Sequence, residues 1–190
     1  MGHLITLRST FANTEVVAAA YAAGDEVSND STAGSVVRAT FDLSGFSRGL
    51  ILGAGIDLTA ASADVVTTAA DFELLLFKTA DAPAAVGDNV THPIAAAVRA
   101  LAVGGFRLDD TGWTGPLGTV AAGTSQYQRV GAHVVIPLAT PTLQAGYIGY
   151  PFEFKGGQAA TLTLVVRALA AWTPLAVINT FGISLDLDVE

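Results

Sequence analysis

The most regular feature of this sequence is an alternation of apolar and polar residues with a period of two. This pattern is typical of β-strands that bury one face. The clearest run covers residues 183–189, where aliphatic residues alternate with serine and aspartate. The same alternation predicts strands in further stretches, which are residues 36–43, 50–58, 134–138, 152–154 and 161–167.

Residues 72–77 keep this period, but nearly every position in the stretch is apolar. A strand that is apolar on both faces is covered on both faces. We therefore predict that residues 72–77 form a central strand of a sheet, with other elements packed above and below it.

Turn-forming glycine and proline residues separate the predicted strands, as at Ser44-Gly45, Gly104-Gly105 and Gly156-Gly157. Short strands with such punctuation indicate an all-β fold, an antiparallel β-sandwich or a jelly-roll-like barrel. Residues 93–102 differ, because a proline at the first position is followed by strong helix formers. They predict one short helix, with Thr91 as its cap, in a long connection from residue 81 to residue 111.

The first residues lack a full alternating pattern and precede the first strong turn. Two interpretations remain open for residues 1–20, an extended N-terminal arm that docks on a partner chain or a first strand. Residues 21–190 show no internal repeat and no low-complexity linker. We therefore expect residues 21–190 to form a single β-sandwich domain.

Composition narrows the possible functions. The 190 residues include no cysteine, so disulfides, thiol catalysis and zinc–cysteine sites are excluded. The formal net charge of -8, with scattered arginines, argues against a nucleic-acid partner. Apolar stretches are too short or too interrupted for a membrane-spanning helix. With 51% hydrophobic and only 14% charged residues, we expect part of the surface to be buried against other subunits.

No catalytic constellation stands out. His3, His92 and His133 are not spaced as metal ligands, and we interpret them as surface or loop residues. Asp109-Asp110 is interpreted as a solvated turn. The glycines of residues 53–58 lack the third glycine of a dinucleotide-binding motif and predict a bulge or a close backbone approach. We expect no enzyme activity, no cofactor and no metal site.

Three polar or aromatic groups leave alternatives open. Asp25, Glu26, Asn29 and Asp30 form the densest cluster of oxygen ligands, which is either a polar turn or a loop calcium site. Acidic residues at 186, 188 and 190 are either the solvated face of an edge strand or a patch that meets an arginine of another subunit. A saccharide-stacking platform or a core is predicted for the aromatic residues Trp113, Trp172, Tyr127, Tyr147 and Tyr150.

Residues 21–27 read YAAGDEV and are followed by a polar loop, a predicted hairpin, the apolar strand FELLLF and an Asp- and Pro-containing loop at residues 81–89. This order resembles that of small all-β virion proteins of tailed bacteriophages, of the capsid decoration (cement) type. The closing strands, at residues 161–169 and 180–189, resemble the paired closing strands of the same proteins. The resemblance spans most of residues 21–189, but the helix-like stretch at 93–102 departs from it.

The resemblance implies a structural virion protein that stabilises a phage head by binding its outer shell as an oligomer. Implied partners are the major capsid protein and further copies of the chain, as a trimer, with no nucleic acid and no membrane. The protein would be made in the host cytoplasm and lie on the outer capsid surface. Candidate partner-binding residues are Leu4, Ile5, Leu7, Arg8, Phe11, Trp113, Tyr147 and Tyr150. The alternative is a host-receptor or glycan-binding module of a phage fibre or tail.

Overall fold

The computed structural model describes residues 2–13, 20–60, 64–66, 71–109, 118–120, 125–131, 149–156, 159–171 and 179–190. Strands dominate these residues. They are β1 (His3–Asn13), β2 (Thr40–Asp42), β3 (Arg48–Ala60), β4 (Asp64–Val66), β5 (Phe72–Lys78), β6 (Gly104–Leu108), β7 (Gly118–Val120), β8 (Ser125–Gly131), β9 (Tyr150–Glu153), β10 (Thr161–Ala168) and β11 (Asn179–Val189). The helical elements are α1 (Ala96–Arg99) and two 3-10 turns, at Ala33–Ser35 and Thr79–Asp81.

The strands form two main antiparallel sheets. A five-stranded sheet has the order β1-β11-β3-β8. Strand β9 also pairs with β3, at residues 48–51, whereas β8 pairs with residues 53–59 of the same strand. A four-stranded sheet has the order β2-β10-β5-β6, and β4 pairs with β7 separately. If the strands of the two four-strand paths are numbered in chain order, the sheets read 1-8-3-6 and 2-7-4-5. This is the strand order of a jelly roll, which confirms the predicted all-β class.

The core lies between the two sheets because each strand turns its apolar residues inward. On β11, Phe181, Ile183, Leu185, Leu187 and Val189 are all at most 1% exposed, as the alternation predicts. The ring of Phe181 reaches across the core, edge-on to a phenylalanine of β5 with their centroids 6.2 Å apart. Burial of such side chains supplies the main driving force for folding.

A second contact between the sheets lies at β9. The Tyr150 ring packs edge-on against Phe106 of β6, with centroids 5.5 Å apart, and its hydroxyl donates to the Gly105 carbonyl at 2.9 Å. Burial raises the pKa of Tyr150, because the phenolate would be desolvated there. Tyr150 therefore stays neutral and joins the two sheets.

Strand β5 confirms the prediction of a central strand. It pairs with β10 on one side and β6 on the other, and every residue from Phe72 to Phe77 is buried. The glycines of β3 confirm the predicted close approach. A Cβ at Gly55 would lie 2.6 Å from Ser184 Oγ, and one at Gly53 would lie 2.9 Å from a carbonyl of β8.

The structure corrects three predictions about single elements. The helix is shorter than residues 93–102, and its N-cap is Ala95, because the Thr91 hydroxyl instead donates to Asp25. Strand β2 begins only at Thr40, since the backbone at Val37 bonds to the Asn29 side chain instead of joining a ladder. The strand predicted at residues 134–138 lies outside the described residues. In the described part of the chain, no helix is both long and apolar enough to span a bilayer.

Candidate functional site

The motif segment, residues 21–27, adds an irregular strand to the four-stranded sheet. Gly24 N donates to the Ala168 carbonyl at 2.8 Å, and Val27 N donates to the Val166 carbonyl at 2.9 Å, so the segment lies along β10. Its other edge bonds to residues 88–92. Gly24 has a φ of +98°, a left-handed conformation that favours glycine. The two sequence features that carried the family resemblance are therefore neighbours in space.

Tyr21 and Asp88 make the first buried link between these features. The Tyr21 hydroxyl lies 2.6 Å from both carboxylate oxygens of Asp88, and Ser28 N donates to the same carboxylate at 2.7 Å. Tyr21 is 2% exposed and Asp88 is 4% exposed. A buried carboxylate that accepts such hydrogen bonds is compensated for its loss of water.

Glu26 is the centre of a second buried group. Its carboxylate is held by a two-pronged interaction with Arg38, from Nε to Oε1 at 2.7 Å and from Nη2 to Oε2 at 2.9 Å. His92 Nδ1 lies 2.8 Å from Oε2, in an alignment outside that of a hydrogen bond. Arg38 also donates to the Pro83 carbonyl. The Glu26 side chain is 1% exposed, so it contacts protein alone.

Glu73 is the centre of a third group. Arg99 Nη2 donates to Glu73 Oε2 at 2.9 Å and Nη1 contacts Oε1, while Arg167 Nη1 donates to Oε2 at 2.8 Å. Arg167 is the cross-strand partner of Glu73 in the β10–β5 ladder and also donates to the Gly24 carbonyl. This links the group to the motif segment. A charged residue of a fully buried strand is thus neutralised by two guanidinium groups.

Opposing effects set the pKa of Glu26. Burial by itself raises the pKa, but the contacts with His92 and Arg38 and the charge of Arg38 outweigh burial, so the pKa lies below its ordinary value of 4.5. The folded chain therefore favours the carboxylate more than the unfolded chain does. The contribution to stability is complete above about pH 4.5 and is lost as the pH falls through the lowered folded value.

This linkage predicts how acid affects stability. We expect the free energy of unfolding of the wild type to fall below pH 4.5, while Glu26→Gln, which has no proton to gain at this position, loses less. Thermal melting of both proteins, from neutral pH into the acid range, measures the difference between them. That difference should narrow as the pH falls, and a difference that stays constant would contradict the linkage.

The contacts of these groups are structural. We call the set the motif cluster, and it consists of Tyr21, Glu26, Arg38, Glu73, Asp88, His92, Arg99 and Arg167. Each carboxylate in the cluster is held by partners from the same chain. Among the described residues, His, Asp and Glu side chains do not gather in threes in a way that could hold a metal. The motif cluster therefore ties the motif segment, the connection after β5 and the sheet together.

The proposed calcium ligands act as turn and backbone partners. Asp25 accepts from Ala22 N at 2.7 Å, and Asp30 accepts from Thr32 N at 2.7 Å. Asn29 accepts from the backbone N–H of Val37, which precedes β2. These bonds favour the polar turn over the calcium loop. His92 is a loop residue, as one of the two interpretations has it, but it is not a surface residue, because its side chain is 5% exposed.

The acidic residues near the C-terminal end are not on an edge strand, since β11 lies between β1 and β3. They meet groups of the same chain. Asp186 accepts from the Thr6 hydroxyl at 2.7 Å, and Glu190 forms an exposed ion pair with Arg48. The edge-strand interpretation is thereby corrected, because the sheet continues beyond β11 to β1. A contact of these residues with an arginine of another subunit stays a prediction.

The candidate partner-binding residues divide into three groups. On β1, Leu4 and Arg8 are exposed, and Ile5 and Leu7 are half-buried against the core. Phe11 is 7% exposed and stacks on a phenylalanine ring of β11, and Tyr150 is 3% exposed. Those two side chains are not available on the surface of the folded chain, because the sandwich core holds them. Trp113 and Tyr147 lie outside the described residues.

The sequence contains a signal for the motif cluster. Glu73 stands inside the apolar run of residues 72–77, and Arg167 interrupts the apolar run of β10. A charged residue in a stretch that must be buried requires a buried partner. That argument pairs Glu73 with a cation. It does not select Arg99, because sequence distance says nothing of which loop folds back.

No family model and no curated protein matches this sequence. Similar solved structures include a semi-empty virus-like particle of the giant freshwater prawn Macrobrachium rosenbergii nodavirus, with 10% identity and a TM-score of 0.34 over 100% of this chain and 93% of that one. A full particle of Israeli acute paralysis virus gives 10% identity and 0.33 over 100% and 72%. The decameric BFDV capsid protein gives 9% identity and 0.26 over 99% and 100%. TM-scores this low carry no argument about this chain.

Proposed function

We propose that this chain is a structural virion protein, a capsid decoration (cement) protein that stabilises a phage head by binding the outer shell as an oligomer. The observation that carries the proposal is the open edge of the five-stranded sheet. Strand β1 runs for 11 residues and hydrogen-bonds β11 on one side, and the described residues place no strand on its other side. In the part of the chain that the structure describes, no backbone group bonds to this outer edge, and such edge groups can pair with another chain.

The sequence of β1 carries little of the protection that is common on edge strands. It contains no proline and no lysine, Arg8 is its one formally charged residue, and Leu4 is 77% exposed at its start. Prolines, charged residues such as lysine, and bulges are the common means of preventing strand addition. A sparsely protected edge suits a protein whose partners are subunits of an assembly. The partners are the major capsid protein and further copies of this chain, as a trimer.

Two other observations support a structural role. The charged side chains of the motif cluster form ion pairs and hydrogen bonds with each other and with backbone groups, so they make the fold more rigid. The net charge of -8 suits an outer capsid surface that does not bind nucleic acid. The chain binds no membrane, is made in the host cytoplasm and is located on the outer surface of the virion.

A charge on the edge tests this proposal. Leu4→Lys places an ammonium opposite Asp188 in the β1–β11 ladder, so folding is not opposed. The substitution also removes a leucine side chain whose burial at the contact contributes about 1.5–3 kcal/mol to association. Self-association is therefore expected to weaken about tenfold or more. Sedimentation over a concentration series measures the effect. Val37→Lys is the matched control, because Val37 is 63% exposed and is not part of β1.

The outcomes separate the parts of the proposal. A wild-type chain that stays monomeric at high concentration contradicts assembly through β1, as do equal effects of Leu4→Lys and Val37→Lys. Binding of the wild type to empty expanded capsids tests the shell partner. If the chain is missing from purified virions, the virion role is wrong whatever its oligomeric state.

A further inference from the structure

The outer face of the five-stranded sheet has a gap at its centre. The strand registers place Thr10, Gly182, Asp57 and Tyr127 in one row across β1, β11, β3 and β8. Residues directly opposite each other in antiparallel strands point to the same face. Because Gly182 has no side chain, the row is open between Thr10 and Asp57.

This gap opens into a cavity of about 390 Å³, which is within the range of small-molecule sites. The side chains around it come from three strands, and most are polar. They include Arg8, Thr10, Asp57, Thr59 and Thr180, with Gly182 as the floor. Three threonine hydroxyls, one carboxylate and one guanidinium group therefore face the same volume.

The charges around the cavity restrict the ligand. Arg8 makes no ion pair within the described part of the chain, although Asp57 lines the same cavity. Asp57 accepts hydrogen bonds only, Arg8 donates only, and threonine hydroxyls do both. A ligand with many hydroxyl groups can donate to Asp57 and accept from Arg8. A phosphate or a nucleic-acid backbone would be repelled by Asp57.

Tyr127 adds an apolar surface beside this polar group. It is the cross-strand partner of Asp57, and it is 47% exposed. A tyrosine ring presents an apolar face together with a polar tip. Pyranose rings have the complementary character, because one face exposes C–H groups and the rim carries hydroxyls.

We propose that this cavity binds a saccharide unit. Asp57 accepts hydrogen bonds from its hydroxyl groups, Arg8 donates to its oxygens, and Tyr127 contacts its apolar face. The site uses the face of the sheet, whereas the proposed assembly uses the edge of β1. The saccharide site is therefore independent of the shell role, and either proposal can fail alone.

Steric filling of the cavity provides the test. A Cβ at Gly182 would lie 3.4 Å from Asp57 Cβ, an ordinary contact, and the φ of Gly182 is outside the left-handed region. Gly182→Val is therefore expected to fold while it fills the cavity. The matched control is Gly34→Val, because a side chain there meets nothing within 4 Å.

The probes are methyl glycosides of hexoses, N-acetylhexosamines and hexuronic acids, and binding is read by saturation-transfer NMR and titration. We expect the wild type and Gly34→Val to bind at least one glycoside, and Gly182→Val to bind none. Asp57→Asn should weaken binding about tenfold, since a hydrogen bond to a charged acceptor is replaced by a weaker one to a neutral amide oxygen. Tyr127→Ala should weaken it as well.

Two results would overturn the saccharide site. One is that no glycoside of the panel receives saturation from the wild type. The other is that Gly182→Val and Asp57→Asn, with melting temperatures close to that of the wild type, bind as the wild type does. Melting curves of every variant separate loss of the site from loss of the fold.

Discussion

Replacement of Glu26 by Gln is expected to lower the free energy of unfolding by about 3–5 kcal/mol. The Glu26 side chain is 1% exposed and its main partner Arg38 is 10% exposed, so the variant leaves a guanidinium charge buried without its counter-charge. The remaining charge is costly because little water reaches it. Chemical denaturation at neutral pH measures the loss.

The control for this prediction is an ion pair of the same chemistry at the surface. Glu190 pairs with Arg48, and their side chains are 48% and 65% exposed. Because exposed pairs contribute about 0–1 kcal/mol, Glu190→Gln should be nearly neutral. Equal losses for the two variants would show that burial of the motif cluster does not determine its contribution to stability.

Truncation of Phe181 is the second large effect. Phe181→Ala is expected to cost about 3–5 kcal/mol, because it leaves a cavity in the core between the sheets. The ring is 0% exposed, stacks on Phe11 with centroids 4.9 Å apart, and meets Phe72 edge-on. It therefore joins β1, β11 and β5. Thermal and chemical denaturation both measure this loss.

Phe46 supplies the comparison for Phe181. It packs against the same core but is only partly buried. Phe46→Ala removes the same atoms from a position that solvent can refill, so a smaller loss is expected. If the two alanine variants lose the same stability, the contact between the sheets is not centred on Phe181.

The period of two predicts most of the fold because it reports which side of each strand is buried. It locates β3, β5, β10 and β11 to within a few residues. It does not determine which strands are neighbours, so the position of β11 between β1 and β3 was missed. Residues 3–13 show why, since their pairing partner lies at the other end of the sequence.

The motif cluster was less predictable. YAAGDEV is recognisable in the sequence as a motif, but the sequence predicts that its carboxylates are calcium ligands or turn residues. The partners of Glu26 lie 12 residues away, at Arg38, and in the connection that follows β5, at His92. Long connections fold back to bring these groups together. Local periodicity does not predict the contacts of Glu26 with Arg38 and His92. A charged residue in a buried segment indicates only that a partner is needed.

The placement of β11 has a consequence for how the chain acquires its structure. Because β11 is inserted between β1 and β3, those two strands cannot be joined in the sheet until residues 179–189 have left the ribosome. Until then the earlier strands expose unpaired backbone and the apolar faces that later pack on Phe181. Pairings between such distant segments form slowly and leave time for wrong association. The step that completes the sheet thus follows the synthesis of the other ten described strands, and crowded nascent chains are most vulnerable just before it.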